Sequence, residues 1–118
     1  MSTSPEFGQY VRKQREAKPA IEFSLRRVAG RVGIEPSYLS KIERGQQPPP
    51  GEETIRRLAK ELGEDSDVML ALAGKVSTDL LDVIRKRPAL IAELLRTVRH
   101  APAKRISKAV KEVRDGDW

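Results

Sequence analysis

The stretch from Ser24 to Gly45, SLRRVAGRVGIEPSYLSKIERG, constrains the fold more than any other part of the chain. Its punctuation leaves room for two short helices and little between them. Ser24 is a good N-cap, and after it Leu25, Val28, Ala29 and Val32 recur at helical spacing on one face. Gly33 supplies the left-handed residue that ends such a helix, and Glu35-Pro36 opens the next with proline at its first position. Leu39 and Ile42 then face inward until Gly45 stops the run. The two helices meet across a turn of about three residues. Val28, Ala29, Ile34, Leu39 and Ile42 form the seam between them, where the small Ala29 permits close approach.

The flanking segments also read as helix. A first helix begins at Ser4-Pro5-Glu6, a cap, a proline in the first turn and an acid that favours the dipole. It carries Phe7, Tyr10, Val11 and Gln14 to about Lys18, where Pro19 stops it, and Pro19 to Phe23 reads as a loop. The linker Gln46-Gln47-Pro48-Pro49-Pro50 is stiff and incompatible with helix. Glu52 and Glu53 open a fourth helix with Ile55, Leu58, Ala59 and Leu62 inward, stopped by Gly63. Asp65 caps a fifth through Val68, Leu70, Leu72 and Ala73, ending at Gly74. No segment alternates as a strand, so the predicted class is all-α, with five helices completing a small domain over residues 4–74.

Residues 75–118 read as a helical extension of about three helices. Ser77 caps a helix bearing Leu80, Leu81, Val83 and Ile84. Pro88 and Pro102 start two more, the last ending at Gly116 before Asp117-Trp118. Because a domain is already complete before them, the stripes Leu90, Ile91, Leu94, Leu95, Val98 and Ile106, Ala109, Val110, Val113 are expected to pack against a second subunit.

Charge narrows the partners. The chain has 23 Lys and Arg against 17 Asp and Glu, a formal +6, which favours polyanions such as DNA, RNA or an anionic membrane face. Eleven of the basic and six of the acidic residues lie from Lys75 onward. There is no cysteine, which excludes disulfides and thiolate metal sites, and the single histidine, His100, reads as a partner for a helix C-terminal dipole. No metal and no cofactor are expected. Asp79 and Asp82, like Glu52 and Glu53, sit near helix starts as capping and dipole charges without a nucleophile beside them, so no enzyme is expected. Arg85, Lys86 and Arg87 fit favourable last-turn charges better than a contact to such a polyanion, DNA included. No run approaches the roughly 20 apolar residues of a membrane span, and the start lacks the build of a signal peptide, so a cytoplasmic setting is expected.

A helix that enters a DNA major groove must be short, held by a supporting helix, and free to present its outer face. The second helix of the Ser24–Gly45 stretch meets those needs. Outward it offers Pro36, Ser37, Ser40, Lys41 and Arg44, with Tyr38 at the flank. Hydroxyls suit phosphates or either base, a lysine reaches guanine, and a phenol can touch a thymine methyl.

The pair Val28-Ala29, the pair Gly33-Ile34, the run Ser37-Tyr38-Leu39-Ser40-Lys41-Ile42-Glu43-Arg44-Gly45 and the Pro-rich linker resemble the Cro and phage-repressor type of helix-turn-helix regulator, the xenobiotic-response-element family. The resemblance spans about Phe7 to Ala73 and implies a lambda-repressor-like five-helix domain. It implies base reading by Ser37, Tyr38 and Lys41, to which the outward face of the helix adds Pro36 and Ser40, and phosphate contacts from Ser24, Arg26, Arg44 and Gln46. It also implies that Arg15 pairs with Glu43 beneath the reading helix. The loop from Lys18 to Phe23 is longer than the family's usual first turn. The expected protein is a bacterial or phage, nucleoid-associated homodimer that binds double-stranded DNA at an inverted repeat and represses its own or a neighbouring operon. The alternatives are an antitoxin-type protein whose last helices hold a protein partner, and a non-specific architectural protein.

Overall fold

The computed structural model describes residues 5–116, and among them every regular element is a helix. The expected cap at Ser4 and the final Asp117-Trp118 lie outside the described residues. The order is α1 (Pro5–Glu16), α2 (Ala20–Phe23), α3 (Leu25–Val32), α4 (Pro36–Glu43), α5 (Glu52–Leu62), α6 (Ser66–Leu72), α7 (Thr78–Lys86), α8 (Pro88–Val98) and α9 (Ala103–Asp115). The chain divides into two units, residues 1–77 and residues 78–118.

In the first unit the apolar faces converge on one core. It holds Phe7 and Val11 of α1, Val28, Ala29 and Val32 of α3, Leu39 and Ile42 of α4, Ile55, Leu58, Ala59 and Leu62 of α5, and Met69 and Leu70 of α6. Burying each large aliphatic or aromatic side chain here contributes about 1.5–3 kcal/mol. The helix α4 packs on α1 and α3, while α5 packs on α3 and α6, so α4 is braced from two sides.

The punctuation around α3 and α4 takes the form its residues dictate. The Ser24 side chain accepts a hydrogen bond from the Arg27 amide at 3.2 Å, capping α3. At Gly33 the backbone turns left-handed, φ 87°, and the Gly33 and Ile34 amides both donate to the Ala29 carbonyl. Pro36 is the first residue of α4, where its missing amide costs nothing. Farther on, the Asp65 carboxylate accepts from the Asp67 and Val68 amides at the start of α6. The proline linker is tied down at its end, since Pro50 is buried and its carbonyl accepts a 2.9 Å bond from Lys75 Nζ.

Three details depart from the sequence reading. The segment expected as a loop after Pro19 contains the single helical turn α2, its Glu22 and Phe23 amides donating to the Pro19 carbonyl. Four residues are too few to show periodicity, and the turn is held by tertiary contacts of Phe23. Its half-buried ring lies under both Lys18 Nζ, at 5.6 Å, and the Arg31 guanidinium, at 5.0 Å. In α6, Val68 is 50% exposed, and Met69 fills the place in the core expected for it. Gly116 follows α9 in an extended conformation, φ −65° and ψ 148°, so that helix ends without a left-handed residue.

In the second unit α7 packs on α8. Not one residue from 78 to 116 is buried. Leu94 is 52% exposed, Leu95 61%, Val110 55% and Val113 67%. Among the described residues no helix is long and apolar enough to cross a membrane.

Candidate nucleic-acid interface

What positions α4 is as informative as what it displays. Its inner face, Leu39 and Ile42, is locked into the core, and its last turn lies directly against α1. The approach is close enough that a Cβ on Gly8 would stand 2.1 Å from the Ile42 carbonyl oxygen and 3.0 Å from that of Glu43. Only a residue without a side chain lets α1 pass there.

One turn beyond Val11 on α1, Arg15 fixes the same end of α4. Its Nε and Nη2 donate to the two carboxylate oxygens of Glu43, each at 2.8 Å, a bidentate pair in which the Glu43 side chain is 3% exposed and that of Arg15 11%. Nη1 donates to the Phe23 carbonyl at 3.2 Å, tying α2 into the same junction. The hydrogen bond to Glu43, reinforced by its charge and that of Glu16, holds the guanidinium above its already high range against the opposing effect of burial. The guanidinium therefore stays charged at any physiological pH and keeps both donors on Glu43. The structure brings together the ion pair expected from the resemblance, and the added helical turn α2 does not displace Arg15 but gives it a third acceptor.

On the outside of this braced pair, Ser37, Lys41, Arg44 and Gln46 are exposed, as is Arg26 on α3. Pro36, Tyr38, Ser40 and Ser24 are half-buried. Two of these have engagements of their own. The Tyr38 side chain leans on the core, and Arg44 folds back along α4, its Nε donating to the Ser40 hydroxyl and carbonyl at 3.2 and 3.3 Å.

The distribution of ion pairs is uneven. Arg12, Arg31, Arg56 and Arg57 are matched with Glu16, Glu61, Glu52 and Glu53, and Arg15 with Glu43. Arg26, Arg27, Lys41 and Arg44, all exposed and all on α3 or at α4, take part in no ion pair among the described residues. The cations left uncompensated in the first unit thus include four that belong to the two crossing helices. Such an arrangement offers positive charge and hydroxyl groups to an anionic, groove-bearing partner. Among the described residues no group of three or more His, Cys, Asp or Glu could hold a metal ion.

Sequence reasoning missed Gly8, although its signal was present. A glycine inside a helix costs about 1 kcal/mol relative to alanine, so one that persists there has a packing reason. It also missed the Tyr10 hydroxyl, which donates to the Glu64 carboxylate and so joins α1 to the segment between α5 and α6. No local pattern announces a contact between residues 54 apart.

Comparison with known proteins bears on the same region. The chain is 34% identical over 67 residues to an uncharacterized HTH-type transcriptional regulator of Mycobacterium tuberculosis strain CDC 1551 / Oshkosh, and equally to one of strain ATCC 25618 / H37Rv. The alignment takes in 57% of this chain and 45% of each relative, so the chain matches about half the length of those proteins. No solved structure matches it. The family described as "Helix-turn-helix domain" matches residues 6–72, from the second residue of α1 to the end of α6, and the chain belongs to that family.

Proposed function

We propose that the protein is a sequence-specific, DNA-binding transcription regulator of the Cro and phage-repressor type, acting as a homodimeric repressor on an inverted-repeat operator near its own or a neighbouring operon. The observation that carries the reading is the set of unpaired, exposed cations on α3 and α4, around a helix held rigidly at its far end by Gly8 and the Arg15–Glu43 pair. The names of the mycobacterial relatives point the same way.

In this reading α4 enters the major groove, where Pro36, Ser37, Tyr38, Ser40 and Lys41 meet base edges. Ser24, Arg26, Arg44 and Gln46 hold phosphates. Ser24 keeps its donor hydrogen for that purpose while its oxygen caps α3. Lys41 is the principal reader. Tyr38 is partly committed to packing, and the Ser40 hydroxyl already accepts from Arg44. Residues 4–74 form the DNA-binding domain and residues 75–118 the dimerisation element, bringing two copies of α4 into successive grooves about 34–36 Å apart. The absence of any buried residue from 78 to 116 supports a covering subunit. It supports equally the second reading, an antitoxin-type protein whose last helices hold a different protein.

A footprint on the DNA flanking the reading frame tests specificity, symmetry and spacing together. Lys41→Ala should cost about 1–3 kcal/mol on the cognate site alone, whereas Arg44→Ala should weaken all duplexes and reduce the salt slope by about 1. Equal losses for Lys41→Ala on cognate and random DNA would remove its base-reading role. For assembly, Leu94→Glu combined with Val110→Glu in the full chain should halve the mass seen by light scattering. An unchanged mass would show that α8 and α9 are not the dimer element.

A further inference from the structure

The Lys41 and Arg44 region accounts for only part of the positive charge. Residues 1–77 carry 13 basic and 11 acidic side chains, whereas residues 78–118 carry 10 and 6, so most of the net charge of +6 lies in the C-terminal third. Of the three helices there, α9 carries the largest net charge, five basic side chains against two acidic. Lys104, Lys108 and Lys111 follow one another at spacings of four and three residues, which places them on one face of the helix. All three are exposed and none forms an ion pair among the described residues, although Glu112 stands one turn from Lys108. Among the described residues, the one ion pair on this helix joins Arg114 to its neighbour Asp115. Ile106, Ala109, Val110 and Val113 occupy the opposite face.

Three like charges at these spacings repel one another and are tolerated most readily where an anion lies against them. From this we infer that the Lys104–Lys108–Lys111 face of α9 is a second, sequence-independent DNA contact, binding phosphates of the duplex whose bases α4 reads. The inference rests on the DNA-binding reading above. Double-stranded DNA matches the stripe in charge and in being extended. A membrane surface matches it less well, because the apolar face is made of Ile, Ala and Val, without the Trp, Phe or Leu of helices that lie in a bilayer interface. Since the lysine and apolar faces are opposed, α9 can pair with a second subunit and touch phosphate at once.

The test compares the full chain with K104Q/K108Q/K111Q, measuring Kd on cognate and random duplexes between 50 and 200 mM salt. Every phosphate that a lysine no longer neutralises reduces the slope of log K against log salt by about 0.9, so the triple variant's slope should be shallower by about 2.7 on both duplexes. Over that range wild-type affinity should fall about 40-fold further than the variant's, while the ratio of cognate to random binding stays the same. Single Lys→Gln variants should each move the slope by about 0.9, and K104R/K108R/K111R should keep the wild-type slope. An unchanged slope in the single and triple Gln variants overturns the inference. So does an unchanged DNA slope accompanied by lysine-dependent binding to phosphatidylserine vesicles. Failure of the wild type to bind any duplex would instead overturn the DNA-binding reading itself.

Discussion

Replacing Arg15 by Met tests whether the α1–α4 junction is what holds α4 in place. The change removes two charge-assisted bonds of 2.8 Å and leaves the Glu43 carboxylate, 3% exposed, facing an apolar side chain. Stranding one member of a buried ion pair costs about 3–5 kcal/mol. Because the Arg15 side chain is itself 11% exposed, water can partly replace it, which places the loss near the lower end, about 3 kcal/mol. Against a total stability of about 5–15 kcal/mol that is a large fraction. With a urea dependence of about 1–3 kcal/mol per molar, the unfolding midpoint should fall by roughly 1–3 M. The double variant Arg15→Met, Glu43→Leu supplies the discriminating comparison. An apolar pair in place of a buried ionic one is often neutral, so it should be more stable than Arg15→Met alone. A midpoint for Arg15→Met within about 0.3 M of wild type, or a double variant no more stable than that single one, would refute the reasoning.

Other consequences follow from the same junction and its neighbours. Gly8→Ala gains about 1 kcal/mol of helix propensity yet forces a methyl to within 2.1 Å of the Ile42 carbonyl oxygen. The net effect should be a destabilisation of about 1–3 kcal/mol, read as a lower Tm, and a raised Tm would show that α1 is free to move away. Tyr10 is held above its ordinary value of 10.0, first by the hydrogen bond to Glu64, then by burial and the Glu64 charge. Its contribution is therefore complete below pH 10 and is lost as pH rises through the higher folded value, so stability should decline there in the wild type and not in Tyr10→Phe. Chemical denaturation at a series of pH values from 8 to about 11 measures both curves.

The sequence was legible where a residue's local chemistry and its tertiary role coincide. Ser24, Gly33 and Asp65 cap or stop helices through bonds to residues a few positions away, and those bonds are present in the structure, while Pro36 starts α4 where no amide has to be satisfied. Val28, Ala29, Leu39 and Ile42 are buried as their spacing requires. It was less legible where the decision is made at long range. Val68 and Met69 are adjacent and both apolar, so periodicity over the seven residues of α6 could not say which would meet α5. The α2 turn depends on the Phe23 ring meeting Lys18 and Arg31, and Gly8 depends on how near α1 comes to α4. The Arg15–Glu43 pair joins residues 28 apart and was reached through the family resemblance, because nothing in local patterning links the two.

The same contrast bears on how a chain with modest readers would achieve specificity. On the proposed reading, α4 offers one long unpaired cation, Lys41, beside small hydroxyl groups and a tyrosine half committed to the core. Hydroxyls discriminate weakly between bases, so the energy separating right from wrong sites must come from holding those few groups in register. Register has two sources here. Within one copy it comes from Gly8 and Arg15, which fix the last turn of α4 against α1. Between copies it would come from α8 and α9, whose exposed leucines and valines need a cover. The two sources can be separated by experiment. Arg15→Met, assayed well below its melting temperature, should reduce the preference for cognate over random DNA while leaving the dimer intact. Leu94→Glu with Val110→Glu should instead abolish the dependence of affinity on half-site spacing, leaving binding to an isolated half-site unchanged.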